Sequence, residues 1–158
     1  MKTKKSIIAK LLVIAAIPLI FSGCLDSLFK DNKTYYNVDD AKVEFFPLTK
    51  SVTVGAKEKD TYTLRVQLIG EQRKEDLSLG ITVVDDATTA QVGIQYEAIP
   101  ESVVIPAGSS IAEIKITTSG TGLAAGETVT LVLELQGTEQ VEVATNLDRH
   151  TLTIQGAG

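Results

Sequence analysis

Apolar and polar residues alternate with a period of two along most of the chain from residue 41 onward. The alternation is clearest in residues 62–68, 79–83, 112–116, 129–135 and 152–154. Successive side chains of a strand point to opposite faces of a sheet, so each segment predicts a strand with one buried face and one solvated face. Val132 departs from the alternation of its segment.

Glycine, proline and small polar residues interrupt the alternation at near-regular intervals. These turn segments are residues 55–60, 70–76, 85–90, 106–109 and 119–126. Seven or eight short strands without an amphipathic helix predict an all-β domain, an antiparallel immunoglobulin-like β-sandwich over residues 41–158. A closed barrel is the alternative architecture. The composition agrees, because the strand-favouring residues Thr, Val and Ile are plentiful.

The first 23 residues have the layout of a secretory signal peptide. Residues 1–10 are basic and residues 11–21 form an unbroken apolar run, about half of the roughly 20 residues that a membrane-spanning helix needs. This segment holds four of the 15 basic residues and none of the 20 acidic ones, so the overall charge of −5 becomes −9 for residues 24–158. An acidic chain without a basic stripe predicts no nucleic-acid partner.

The four residues that end this segment, Phe21-Ser22-Gly23-Cys24, resemble the lipobox of bacterial lipoproteins, although Leu is usual where Phe21 stands. In that family the signal is cut before the Cys, whose thiol and new amine are then acylated. The resemblance implies that Cys24, the single Cys of the chain, anchors the protein to the membrane. The implied location is the outer membrane of the cell envelope, with exposure at the cell surface. Each buried CH₂ contributes about 0.8 kcal/mol, so several acyl chains hold a domain firmly.

Residues 24–40 connect the lipidated Cys to the domain and show no sustained period, which predicts a tether. Asp26-Ser27-Leu28 is similar to the short O-glycosylation site of exported Bacteroidota proteins, and this resemblance implies Ser27 as a sugar attachment point. Tyr35 and Tyr36 form an aromatic pair within the tether, so they are candidate ligand contacts.

Residues 96–135 carry a recognisable order of motifs. They are Tyr96-Glu97, the run VVIPAGSS at residues 103–110, Ile114-Lys115-Ile116, Glu127, and the run VTLVL at residues 129–133. This order resembles the Calx-beta type of immunoglobulin-like sandwich, and short Bacteroidota surface lipoproteins share the same core. The resemblance implies a Calx-beta-like fold.

Calx-beta domains that bind calcium place acids at their loop ends, because Ca²⁺ takes about six to eight oxygen ligands. Here Gln95 stands where an acid before the Tyr is expected, and residues 117–120 replace an acidic turn. Asp85 and Asp86 remain as calcium candidates, with Glu127 as a further source of oxygen. This set supplies fewer oxygens than a calcium site needs, so the sequence predicts no bound metal and no cofactor and leaves Asp85 and Asp86 as weak calcium candidates.

Catalytic groups are scarce. His150 is the single His of the chain, and as a general base it would need a nucleophile and an orienting acid that the sequence does not identify. We therefore expect His150 at the surface or at a strand edge, and we expect no enzymatic activity. Phe45 and Phe46 fall on opposite faces of one strand, so one ring is expected to be exposed, whereas Tyr62 and Tyr96 fall at core positions.

Two functional hypotheses follow. The first is a lipid-anchored, non-catalytic binding or accessory module of the cell envelope, associated with glycan capture or uptake as the resemblance implies. The alternative is a structural or assembly lipoprotein that docks to another envelope protein through a sheet edge or face. The expected partners are the membrane and either a glycan or an envelope protein. A hydrolase is the third hypothesis, but the sequence offers no set of catalytic residues that would support it.

Replacement of Cys24 tests the anchor. In the variant Cys24→Ala the thiol that would carry the lipid is gone, so we expect the protein to leave the outer-membrane fraction and to lose incorporation of a labelled fatty acid. Fractionation and labelling of producing cells measure both properties. The matched control Ser27→Ala keeps both. A Cys24→Ala protein that still takes up label and sediments with outer membranes contradicts the prediction.

Overall fold

Nine strands form in residues 41–158, the part of the chain that the computed structural model describes. They are β1 (Lys42–Phe46), β2 (Thr49–Val54), β3 (Lys59–Ile69), β4 (Leu77–Val83), β5 (Ser102–Ile105), β6 (Ile111–Ser119), β7 (Thr128–Gln136), β8 (Glu142–Val143) and β9 (Arg149–Gly156). The five segments of clearest alternation lie within β3, β4, β6, β7 and β9. Within these residues there is no helix with the length and apolarity needed to cross a membrane.

The strands form two sheets that share one core. Sheet A has the order β6-β3-β1-β8, and sheet B has the order β2-β9-β7-β4-β5. Alternate residues of both sheets meet in a single hydrophobic cluster, whose members include Val43, Leu64, Ile116, Leu131 and Ile154. The predicted all-β sandwich is confirmed, because the period-two pattern identifies the side chains that face this core.

Two of the strand pairs are parallel, whereas the sequence predicted antiparallel sheets of seven or eight strands. β8 runs parallel to β1, and β2 runs parallel to β9, so both sheets are mixed. The alternation indicates which face a side chain occupies, but it gives no information about the direction of the neighbouring strand. The structure has nine strands, more than the sequence predicted. Residues 42–54 form two strands that belong to different sheets, and β8, with only two residues, is too short to show an alternation.

The chain passes from sheet A to sheet B between Phe46 and Thr49. β1 ends at Phe46, the Phe46–Pro47 peptide is cis, and Leu48 O accepts a hydrogen bond from Thr151 N at 2.8 Å as β2 begins beside β9. β1 therefore pairs only with residues 65–69 of β3, whereas β6 pairs with β3 over residues 59–67. Among residues 41–158, the only strand neighbour of residues 59–64 of β3 lies on the β6 side.

The outer edge of β6 is closed at both ends. Ser109 Oγ accepts a hydrogen bond from Ile111 N and donates one to Ile111 O. At the other end, Glu97 N donates to Thr117 O and Ser119 N donates to Gln95 O. Contacts of this kind shorten the stretch of unpaired main chain that a sheet edge offers to another molecule.

The loop that follows β4 explains the irregular position of Val132. This residue is buried although its neighbours Leu131 and Leu133 are the ones that belong to the core cluster. Val132 N donates to Thr88 Oγ1 at 3.0 Å, and Val132 O accepts from Val84 N at 2.9 Å. Residues 84–88 thus extend the sheet beside β7, and an apolar residue is accommodated on the outer face.

Candidate functional site

A groove opens on sheet A where β1 ends. Its volume is about 350 Å³, and its lining residues are Phe46, Pro47, Tyr62, Thr63, Arg65 and Glu113. We call this site the Phe46 groove. It combines an aromatic ring with a few polar groups, as sites for small polar ligands commonly do. Two other surface grooves, of about 410 and 250 Å³, have no aromatic side chain in their linings.

The strand register places three side chains of the groove in one row across sheet A. Phe46 lies opposite Arg65, and Arg65 lies opposite Glu113. The Phe46 ring is 53% exposed, whereas Phe45 on the inner face is 1% exposed, so the expectation of one exposed ring is confirmed. Arg65 Nε lies 3.7 Å from Glu113 Oε1, and both side chains remain accessible to solvent. The row therefore offers a ring face beside one cationic and one anionic group.

Behind the groove, His150 lies in the core. The imidazole is fully buried, stacks on the Tyr62 ring at a centroid distance of 5.6 Å, and meets the edge of Phe45 at 6.2 Å. The expected surface or strand-edge position is therefore wrong. His150 occupies the same face of β9 as the core residues Leu152 and Ile154, so its position in the alternation was the available signal.

His150 holds the crossover of the chain through one hydrogen bond. Its Nδ1 lies 2.7 Å from Pro47 O, and because a carbonyl only accepts, Nδ1 is the protonated nitrogen. Burial lowers the pKa of the imidazole, an effect that the hydrogen bond to Pro47 opposes. His150 Nε2 and the Tyr62 hydroxyl are both buried and find no partner among residues 41–158. Burial likewise raises the pKa of Tyr62, with Arg65 acting in the opposite direction.

A second, smaller cavity of about 180 Å³ surrounds Tyr96, with Lys59 and Glu97 in its lining. Lys59 Nζ and Glu97 Oε1 are 2.6 Å apart. Tyr96 is buried, as expected, and burial followed by the charge of Asp85 raises its pKa. Gln95 is also buried: its Oε1 accepts from Gln91 N and its Nε2 donates to Thr121 O, which ties two loops together. Gln95 thus has a structural role here.

The calcium candidates do not converge. Asp85 and Asp86 are exposed, and they act on different neighbours, because Asp85 raises the pKa of Tyr96 while Asp86 contributes to the raised pKa of Arg149. Glu127 Oε2 instead accepts a hydrogen bond from Ala124 N at 2.9 Å. Within residues 41–158 no group of three or more His, Cys, Asp or Glu side chains could hold a metal ion.

The remaining predicted site residues lie outside the described residues. They are Cys24, Ser27, Tyr35 and Tyr36, together with the signal peptide (residues 1–23) and the tether (residues 24–40). These assignments stay predictions.

Comparisons with known proteins identify a family and a fold. A family model described as a domain of unknown function (DUF4843) matches residues 31–155. No curated protein matches the sequence. Among solved structures, the apo form of the Calx CBD1 domain is similar with a TM-score of 0.62 and 17% identity, over 75% of this chain and 99% of that chain.

Two longer structures are also similar. A Bacteroides ovatus protein of unknown function has a TM-score of 0.57 and 20% identity, over 72% of this chain and 44% of that chain. The calcium binding domain CBD12 of CALX1.1 has a TM-score of 0.58 and 16% identity, over 73% and 45%. This chain thus spans less than half the length of either structure. These likenesses confirm the Calx-beta-like fold, and neither the family nor these structures name a catalytic activity.

The buried imidazole predicts a loss of stability in mild acid. An unfolded His titrates near pH 6.5, and burial lowers the pKa of folded His150, so below about pH 6.5 the unfolded chain binds a proton that the folded chain excludes. The stability that neutral His150 contributes is complete above that pH. It falls as the pH drops toward the lowered pKa, with a slope of at most about 1.4 kcal/mol per pH unit.

Urea unfolding measured from about pH 7.5 down to about pH 5 checks this prediction. In His150→Leu the titrating group is gone, so the dependence over this range should disappear. The matched control Tyr62→Phe removes only the buried hydroxyl and should keep the dependence. A wild-type stability that is flat over this range, or a His150→Leu protein with the full wild-type slope, contradicts the prediction.

Proposed function

The chain belongs to the DUF4843 family of domains of unknown function, and from that premise we propose that it is a lipid-anchored, non-catalytic binding module of the cell envelope. Its ligand is a glycan held in the Phe46 groove, and its biological role is accessory to glycan capture or uptake. The observation that carries this proposal is the exposed Phe46 ring in one row with the Arg65–Glu113 ion pair.

The chemistry of that row suits a sugar. The face of an aromatic ring carries partial negative charge and packs against the C–H groups on one side of a sugar ring. The guanidinium of Arg65 donates hydrogen bonds, the carboxylate of Glu113 accepts them, and the Thr63 hydroxyl does both, so the groove can satisfy hydroxyl groups of either role. A groove of about 350 Å³ accommodates a short oligosaccharide segment.

A non-catalytic role agrees with the position of His150. This is the single imidazole of the chain, and it is sealed in the core where a ligand of the groove does not reach it. The ion pair of the groove is exposed, so its groups are suited to hydrogen bonding rather than to proton transfer in a water-free site.

Anchoring at Cys24 would place the module at the outer membrane and expose it at the cell surface. The lipobox-like residues that precede Cys24 support this location, and residues 24–40 would act as the tether. Among the described residues, the core cluster extends from Val43 to Ile154.

A second candidate function is that of an assembly lipoprotein that docks to another envelope protein. The observation that favours it is the part of β3 beyond the end of β1, which within the described residues has a strand neighbour on one side only. An unpaired strand edge is a recurrent docking surface for polypeptide.

Titration calorimetry of residues 25–158 against a panel of soluble glycans tests the first proposal. The panel includes neutral, N-acetylated and uronic-acid oligosaccharides, and we expect saturable binding of at least one. Phe46→Ala should weaken that binding about tenfold or more, because it removes the stacking surface.

Ile69→Ala is the matched control, since Ile69 is an exposed apolar residue of sheet A outside the groove. Its affinity should equal that of the wild type. If no glycan of the panel binds, the glycan proposal is refuted. Equal binding by Phe46→Ala and the wild type would place the ligand elsewhere on the domain and refute the groove assignment.

A further inference from the structure

In the part of the chain that the structure describes, one side of β3 has a stretch of main chain without a strand partner. β3 extends over 11 residues and β1 over only five, and their ladder stops at the Phe46–Arg65 pair. On its other side, β3 stays paired with β6 down to the Lys59–Ser119 pair. The segment of β3 from residue 59 to residue 64 is named here the open edge.

The hydrogen-bond alternation shows which groups face the open side. Leu68 N donates to Ser110 O at 2.9 Å, so the even-numbered residues of β3 exchange hydrogen bonds with the β6 side. The N–H and C=O groups of Thr61 and Thr63 therefore point toward the space that β1 has left. Within residues 41–158 the main chain of Thr61 and Thr63 has no backbone partner on that side.

Lys59 and Asp60 carry charge at one end of the open edge, but Thr61 and Thr63 lack the closing contacts found at the edge of β6. There, Ser109 closes one end and residues 95–97 close the other. Thr61 and Thr63 are exposed and carry short, uncharged side chains. Charged side chains, prolines and bulges are the usual devices that block pairing at an edge. The open edge thus presents pairing groups without such a device at these two positions.

We propose that the open edge binds an extended polypeptide segment of a partner protein, which adds as a strand antiparallel to β3 and continues the line of β1. This inference deepens the second candidate function. The open edge shares Tyr62 and Thr63 with the Phe46 groove, but its tests measure the binding of a peptide and not of a glycan. The added strand would lie in the plane of sheet A, whereas a sugar on Phe46 would lie above that plane.

The two faces of the open edge define the chemistry of the added strand. Tyr62 and Leu64 point to the inner face, so the residues opposite them should be apolar. Thr61 and Thr63 point outward, so the residues opposite these should be polar. A segment of about five alternating residues, about 17 Å long, spans the open edge.

A synthetic peptide with the β6 sequence Ile111–Ser119 is a suitable probe, because β6 already pairs with β3 and has the required alternation. Fluorescence anisotropy of the labelled peptide with residues 25–158 measures binding. This form of the chain keeps every residue of the core cluster. We expect saturable binding, and its absence up to millimolar peptide overturns the proposal.

N-methylation of the peptide distinguishes addition at the open edge from displacement of β6. At the open edge, the amides that bond to β3 belong to the outward-facing residues, which copy Glu113, Lys115 and Thr117. Their methylation should weaken binding about tenfold or more, whereas methylation of the residues that copy Ala112, Ile114 and Ile116 should leave it unchanged. In the native β3–β6 ladder the second set bonds to β3, so displacement of β6 gives the reverse pattern and refutes the proposal.

A pair of proline variants provides the same test on the protein. Thr61→Pro removes an N–H that points to the open edge and spares the β3–β6 ladder. Lys115→Pro is the matched control, because its N–H points away from β3 on the outer edge of β6. With folding verified by circular dichroism, Thr61→Pro should weaken peptide binding about tenfold and Lys115→Pro should not. Equal binding by both variants contradicts the proposal. If a proline variant does not fold, the N-methylated peptides still test the proposal on the unchanged protein.

Discussion

The transfer of the chain from one sheet to the other at Pro47 is the constraint on which the other features depend. His150 Nδ1 donates to Pro47 O across the interior, and Leu48 O accepts from Thr151 N immediately afterward, so β9 holds both ends of the crossover. Because β1 stops at this point, the Phe46 ring lies at the end of a strand beside a groove, and β3 continues without a second strand neighbour from residues 41–158. The candidate glycan site and the open edge thus arise from the same early strand end.

The hydrogen bond to Pro47 comes with an energetic cost. A buried polar atom without a partner costs about 1–3 kcal/mol, and both His150 Nε2 and the Tyr62 hydroxyl are in that state within residues 41–158. Stacking of the imidazole on Tyr62 and its edge contact with Phe45 offset part of this cost. An apolar residue at position 150 would avoid the unpaired Nε2 but would leave Pro47 O without its donor. His150 therefore fixes the path of the chain at Pro47, at the cost of one buried nitrogen without a partner.

Sequence patterns predicted the faces of the strands and not their neighbours. The alternation located the major strands and placed Phe45 and Phe46 on opposite faces of one strand, because face and sequence parity are directly linked. Parallel pairing of β2 with β9, and of β8 with β1, depends on contacts between residues distant in sequence, which the alternation does not report. The expected position of His150 was wrong because a polar side chain is usually solvated, although His150 lies on the core face of β9. One long-range acceptor, Pro47 O, suffices to bury a neutral imidazole. Gln95 stands where a calcium ligand is expected from the resemblance, and in the structure its side chain forms hydrogen bonds between loops.

The central claim is that β1 leaves sheet A after Phe46 and uncovers β3. Amide hydrogen exchange measured by NMR tests it within a single strand. Gln67 and Thr63 both point their N–H groups toward the β1 side, but among the described residues only Gln67 has a partner there, Glu44. The account predicts slow exchange for Gln67 and for Leu64, which bonds to β6, and fast exchange for Thr61 and Thr63. Protection of Thr61 and Thr63 equal to that of Gln67 would show that β3 is covered along its whole length and would contradict the account.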